Sequence, residues 1–183
     1  MRMIEAIFSK QVKRRLGDLR PRLFRTALGL CGDAQQADDL VQEALEKALT
    51  GLHRLNQPES LEAWVFSILT NCYRDQCRRH SREKPAQEWG NEWPPGAEEI
   101  LDAEKEVQQV RRAIGCLNQG QREVLILVDI EGFSYAEVAA IIQIPIGTVM
   151  SRLNRARQRL KTLLLEETVS LLPRAKNHLE RVK

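Results

Sequence analysis

The sequence predicts an all-α fold of two small helical domains joined by a flexible linker, the second carrying a helix-turn-helix. Three observations lead there. Apolar residues recur at three- and four-residue steps almost everywhere outside turns, and no convincing stretch alternates β-branched residues as a strand would. Between residues 81 and 97 that periodicity is lost among Pro85, Gly90, Pro94, Pro95 and Gly96. Beyond it, Ser134 to Leu160 reads as a capped short helix, a tight turn with Pro145 and Gly147, and a longer amphipathic helix.

Pro21 suits the first turn of a helix that carries Leu23, Phe24, Ala27, Leu28 and Cys31 inward and ends at Gly32. Asp33, with Gln36 three residues on, gives a capping-box arrangement for the next helix. Its buried stripe is Ala37, Leu40, Val41, Ala44, Leu45, Ala48 and Leu49, and it stops near Gly51. After the polar loop Asn56-Gln57-Pro58-Glu59, Ser60 is the expected N-cap of a helix burying Leu61, Trp64, Val65, Ile68, Leu69 and Cys72. These elements form the first domain, residues 1–82.

Residues 83–99 are the linker. Trp89 and Trp93 are unusual there, because large aromatic rings normally find a surface to cover. The second domain, 100–165, opens with a helix bearing Ile100, Val107, Val110, Ile114 and Leu117. It breaks at Asn118-Gln119-Gly120, resumes through Val124, Leu125 and Val128, and ends at Gly132. Ser134 and Glu137 form a second capping box ahead of Val138, Ala139, Ile141 and Ile142, and the last helix buries Val149, Leu153, Ala156 and Leu160. Residues 166–183, with Pro173 and mixed charges, are expected to be a frayed tail or a helix that forms on a partner.

Hydrophobic residues at 43% and charged residues at 29% supply compact cores without the bias that marks disorder. The formal net charge of +3 is too small to imply nucleic acid by itself, but the charges are segregated. The charged residues from Asp38-Asp39 to Glu46 are all acidic, whereas those from Arg74 to Lys84 are mostly basic and those from Arg152 to Lys161 all basic. Cys31, Cys72, Cys77 and Cys116 include no C-x-x-C pair and no histidine at ligand spacing. That argues against structural zinc and for buried thiols in a reducing compartment.

No cofactor is expected. No apolar run approaches the roughly 20 residues that span a bilayer, and the start lacks a secretory apolar core, so a cytoplasmic location without membrane insertion is expected. An enzyme acting on nucleic acid should show a carboxylate cluster for metal, a Walker loop or a nucleophile beside a base. None is present, so the chain does not read as an enzyme.

The strongest functional signal is the helix after Gly147, which presents Met150, Ser151, Asn154, Arg155 and Gln158 away from its apolar stripe. Arg152, Arg157, Arg159 and Lys161 flank them. Arg pairs bidentately with guanine and Asn with adenine in the major groove, while flanking cations neutralise phosphates. A solvated basic helix would show the same charges, but not the capped helix and turn before them.

On the helix after Ser60, Ser67, Asn71, Arg74 and Arg78 share a face that continues into Arg79, Arg82 and Lys84. That composition suits holding a single strand and reading an unstacked base, though a solvated helix end would look alike. Asp38, Asp39, Gln42, Glu43 and Glu46 form an acidic-polar face on the preceding helix, equally open to a reading as solubility residues.

Four segments carry a resemblance: Asp38-Asp39-Leu40-Val41-Gln42-Glu43-Ala44; Ala63-Trp64-Val65-Phe66-Ser67-Ile68-Leu69-Thr70-Asn71; Gly132-Phe133-Ser134-Tyr135-Ala136-Glu137-Val138-Ala139; and Ile144-Pro145-Ile146-Gly147-Thr148-Val149-Met150-Ser151-Arg152-Leu153. In this order they resemble regions 2 and 4 of the extracytoplasmic-function (ECF) sigma factors of the sigma-70 family. The helix-turn-helix alone would also suit regulators with a LuxR-type domain, but the first two segments together would not.

The resemblance implies that Asp38, Asp39, Gln42 and Glu43 dock on the clamp helices of core RNA polymerase. Asn71 stands where family members capture a base flipped from the minus-ten element. The loop from Leu55 to Ser60 helps form that pocket, and Arg74, Arg78 and Arg79 follow the strand backbone. Thr148, Met150, Ser151, Arg152, Asn154 and Arg155 lie on the helix that enters the major groove of the minus-thirty-five element. The implied partners are core RNA polymerase, promoter DNA and an anti-sigma protein, often membrane-anchored in this family.

Asn118 stands where many relatives carry proline, which leaves the start of its helix less rigid. The rival reading is an ordinary helix-turn-helix regulator that binds DNA without polymerase. Residues 1–80 count against it, because they show no receiver-like sheet pattern and no evident ligand pocket.

Overall fold

The computed structural model describes the backbone of residues 2–54, 60–83 and 102–171, with side chains over 11–53, 60–80 and 107–166. The described residues are helical, with no strand among them. The elements are α1 (Arg2–Cys31), α2 (Ala34–Gly51), α3 (Leu61–Glu83), α4 (Asp102–Gly115), α5 (Gln119–Leu125), α6 (Tyr135–Ile142) and α7 (Ile146–Leu171). A 3₁₀ turn, Leu52–Arg54, follows α2, and a π-helical segment, Ile126–Ile130, continues α5.

α1 differs from the expected helix because Pro21 lies well inside it. A proline removes one backbone hydrogen bond and crowds the carbonyl four residues earlier. That residue is Gly17, whose side-chain position has nothing packed around it, so the backbone there has room to yield. Val12 and Leu16, on the turns before the proline, are buried and anchor the upstream stretch. Tertiary packing therefore outweighs the local stop signal. α1 ends as expected at Gly32, whose positive φ of 78° suits glycine and whose N–H donates to the Leu28 carbonyl at 2.8 Å.

α2 starts at Asp33, whose carboxylate accepts from the Gln36 N–H at 2.8 Å, and it buries Ala37, Leu40, Val41, Ala44 and Ala48. Leu49, expected inside, is 45% exposed because the stripe ends at Ala48, and the next position turns away from the core. On α3 the buried face is rotated from the expected one. Leu61, Val65, Leu69 and Cys72 are inside as expected, but Phe66, Thr70 and Tyr73 join them, while Trp64 and Ile68 are only half-buried. Trp64 covers Gly51, where a Cβ would sit 3.3 Å from its ring.

In the C-terminal unit, Ile114 and Leu117 are buried, whereas Val107 and Val110 are largely exposed. Asn118 caps α5 by accepting from the Gln121 N–H at 3.0 Å, so an asparagine secures the start that the missing proline left loose. α6 and α7 meet at 104°, joined through Gln143 in the left-handed conformation with φ 54°. α7 continues to Leu171, past the boundary expected at 165. All four cysteines are free, yet only Cys72 is buried. Cys31 and Cys77 are half-buried, and Cys116 is exposed, contrary to the expected set of buried thiols.

The two units share one continuous core running from Val12 to Ala156. Phe66 of α3 meets Phe133, which follows the π segment, edge to face at 4.9 Å. Gly29 of α1 lets Ile126 approach so closely that a Cβ would stand 2.9 Å from its Cδ1. Residues 55–59, Trp89, Trp93, Ile100 and the side chains of Arg82 and Lys84 lie outside the described residues.

Candidate nucleic-acid and protein interfaces

The helical period of α2 turns its carboxylates away from the core. Asp39, Gln42 and Glu46 are exposed, and Asp38 and Glu43 half-buried. Their partners are light. Asp38 accepts from Arg20 of α1 at 2.6 Å, Asp39 from Gln35 at 3.3 Å, and Glu46 from Gln42 at 3.2 Å. Glu43 accepts from Lys47 at 2.7 Å, and this hydrogen bond holds the lysine above its ordinary value. Exposed pairs of this kind contribute at most about 1 kcal/mol, so the acidic face remains available to a partner.

α3 divides the four residues expected on its basic edge. Asn71, Arg78 and Arg79 are exposed. Arg78 pairs with Asp75, whose carboxyl is held below the ordinary value chiefly by that hydrogen bond. Arg79 lies 3.9 Å from Glu43, where the basic edge of α3 meets the acidic face of α2. Arg74 instead points into the junction between the units. Its Nε lies 3.1 Å from both carboxylate oxygens of Glu123, its Nη2 donates to one at 2.6 Å, and its Nη1 donates to the Ile142 carbonyl at 3.0 Å.

In the helix-turn-helix, Ser134 and Glu137 form a reciprocal capping box. Val149, Leu153 and Ala156 seat α7 on the core. This seating leaves Met150, Ser151, Asn154 and Arg155 exposed and Thr148 half-buried. Arg152 folds back over α5, its Nη1 2.9 Å from where a Gly120 Cβ would stand, so its head packs on a neighbouring helix. Arg157 is tied to Asp129 at 3.1 and 2.5 Å, while Arg159 and Lys161 are exposed. Among the described residues no group of His, Cys, Asp and Glu side chains is placed to hold a metal.

Sequence reasoning missed the polar residues at the junction. Glu131 has a fully buried side chain; it accepts from Arg22 Nε at 3.0 Å and from the Thr26 hydroxyl at 2.9 Å. Arg22 also pairs with Glu62 and lies over the rings of Phe66 and Phe133 at 5.5 and 5.9 Å. Arg122 is buried and donates to the carbonyls of Leu30, Ile114, Gly115 and Leu117 and to the Tyr73 hydroxyl, joining the end of α1 to the α4–α5 turn. The available signal was an Arg-Glu pair, Arg122-Glu123, set directly against the apolar run that starts at Val124.

Residues 16–83 match the family described as Sigma-70 region 2, and residues 107–160 match Sigma-70, region 4. The chain is 40% identical over 144 residues to the ECF RNA polymerase sigma factor EcfG of Rhodopseudomonas palustris, covering 79% of this chain and 80% of that one. The chain belongs to the ECF sigma factors of the sigma-70 family. It is thus a transcription initiation factor that directs RNA polymerase to promoters, neither an enzyme nor an ordinary regulator. A second similar protein is SigE of Mycolicibacterium smegmatis, 30% identical, with 80% of this chain and 59% of that longer protein aligned.

Among solved structures, this sigma factor resembles RpoE of Bartonella quintana in complex with the anti-sigma factor NepR. The TM-score is 0.72 at 35% identity, covering 85% of this chain and 98% of the other. It also resembles CnrH in complex with the cytosolic domain of CnrY, with a TM-score of 0.63 at 27% identity over 88% and 97% of the two chains.

Proposed function

We propose that this sigma factor docks on core RNA polymerase through Asp38, Asp39, Gln42 and Glu43 of α2. In this reading it captures the melted minus-ten strand along Asn71, Arg74, Arg78 and Arg79 of α3. It reads the minus-thirty-five duplex with Thr148, Met150, Ser151, Arg152, Asn154 and Arg155 of α7. The observation that carries this reading is that the acidic face of α2 and the polar face of α7 are both left outside the shared core.

The chemistry follows from these surfaces. Carboxylates on α2 complement a basic clamp surface and set its register, a contact that salt weakens. Asn71 offers both a donor and an acceptor to the edge of an unstacked base. Capturing such a base offsets the few kcal/mol its unstacking costs, which is a physical route to melting. Asn154 and Arg155 suit adenine and guanine edges in the major groove. Arg152, packed over Gly120, reaches a phosphate only by swinging off α5.

Residues 1–82 and 100–165 act as the two domains and 83–99 as their linker. Work on polymerase and promoter DNA places the chain in the cytoplasm. The complexes of RpoE with NepR and of CnrH with CnrY support an anti-sigma partner here too. Membrane anchoring of that partner rests on the family resemblance alone.

The test is a titration of labelled protein with purified bacterial core RNA polymerase at low and high salt, beside Asp39→Arg and Arg155→Ala. Binding that salt weakens, and that Asp39→Arg reduces about tenfold while Arg155→Ala spares it, is the expected result. A folded wild-type protein that leaves polymerase unbound overturns the reading, and a folded Asp39→Arg that binds normally moves the docking face off α2.

A further inference from the structure

Arg74 is the one member of the proposed strand-binding edge that solvent does not meet freely, and what it meets instead is specific. Its guanidinium presents a two-point fork to both oxygens of the Glu123 carboxylate, the geometry by which arginine also grips a phosphate. The Glu123 side chain is 1% exposed, against 24% for Arg74. Gln119 steadies the carboxylate with a further bond at 2.9 Å. The remaining arm of Arg74 ends on the carbonyl of Ile142, the last residue of α6. Both acceptors belong to the C-terminal unit, so Arg74 cannot turn to a DNA strand while the units stay together.

We propose that Glu123 stands in for a phosphate of the minus-ten strand, locking the C-terminal unit onto α3 until Arg74 exchanges that carboxylate for DNA. This rests on the assignment of Arg74 to the strand-binding edge. The α2 carboxylates face outward in the same closed arrangement, so polymerase can dock before the lock opens. The chain then has a built-in order: polymerase, separation of the units, single-stranded DNA. The lock is selective because a carboxylate and a phosphate both satisfy the fork, whereas water or a neutral group leaves Arg74 with a poorer partner. Arg22 on Glu131, Arg122 on the Leu30 carbonyl and Phe66 on Phe133 hold the same junction but offer no group placed on that edge. They set how firmly the units close, and Glu123 sets what releases them.

The experiment uses the full chain without polymerase. Small-angle scattering reads the separation of the units, and fluorescence anisotropy reads binding of a labelled single-stranded DNA of mixed sequence, since a phosphate contact carries no sequence preference. Glu123→Gln keeps the shape and removes the charge. It is expected to expand the particle and to raise single-strand affinity roughly tenfold, a gain that Arg74→Gln in the same chain cancels. Unchanged scattering and affinity in Glu123→Gln overturn the proposal, as does a gain that survives Arg74→Gln. If Glu123→Gln loses helix content, Glu123→Asp, which keeps the charge but withdraws it by one methylene, replaces it, with a smaller expansion and a smaller gain in affinity expected, the gain again cancelled by Arg74→Gln. Unchanged scattering overturns the lock itself, whereas expansion without a gain in affinity overturns the assignment of Arg74 to the strand, so the two failures are told apart.

Discussion

At the scale of single residues, caps and junction charges carry the most information. The capping box of α6 joins the Ser134 N–H and hydroxyl to Glu137 at 2.8 and 2.7 Å, with the Glu137 N–H returning to the Ser134 hydroxyl at 3.3 Å. Ser134→Ala should cost about 1 kcal/mol in a urea titration. The hydrogen bonds from the Ser134 hydroxyl and then from its backbone hold the Glu137 carboxyl below its ordinary value of 4.5. A depressed folded value means that the stabilisation is complete above the unfolded value and is lost as pH falls through the folded one. Stability followed from about pH 6 to about pH 3 should therefore decline less steeply in Ser134→Ala than in the wild type. Ser134 and Glu137 were legible in the sequence because a cap is a local arrangement three residues long. Glu131 and Arg122 were not, because their partners Arg22, Thr26 and Leu30 stand about ninety residues or more away in the chain.

At the scale of elements, the turn between α6 and α7 fixes where the reading helix points. Gln143 adopts φ 54° there, a conformation that costs a side chain roughly 1–2 kcal/mol and glycine almost nothing. Gln143 is exposed, so Gln143→Gly should raise the unfolding free energy by up to about 1 kcal/mol in a urea titration, without altering DNA affinity. A fall in stability would mean that the Gln143 side chain contributes more than its backbone conformation costs. α1 and α3 show where reading by elements failed. The proline rule predicted a start at Pro21, but buried Val12 and Leu16 carry the helix through it. On α3 the Trp64-Ile68 stripe answered to one packing neighbour, whereas the helix packs on α1, α2 and α6. Phe66, Thr70 and Tyr73 bury the face turned to the C-terminal unit.

At the scale of the whole molecule, the shared core and the junction pairs make the closed arrangement insensitive to salt. Glu131 and Glu123 are fully or almost fully buried, and their arginines are mostly covered. Raising ionic strength from about 0.1 to about 1 M shortens the screening length from about 10 to 3 Å, which weakens exposed charge contacts far more than buried ones. The scattering radius of the free protein should then stay constant over that range while polymerase and DNA affinities fall. Expansion at high salt would mean that exposed charges, and not the Phe66–Phe133 contact and buried pairs, hold the units together.

The sequence by itself determined the helical class, the caps of α2 and α6, the helix-turn-helix with its outward Met150, Ser151, Asn154 and Arg155, and the acidic face of α2. Each is written in spacing along one helix or across one turn, where periodicity and capping act over a few residues. Only the tertiary structure decided that α1 runs through Pro21, that Phe66 and Tyr73 are core, and that Arg74 faces Glu123 instead of solvent. Those outcomes depend on which surfaces meet across the two units. An amphipathic pattern records that a face is apolar, not what covers it, and a charged residue reads as exposed until its distant partner is brought beside it.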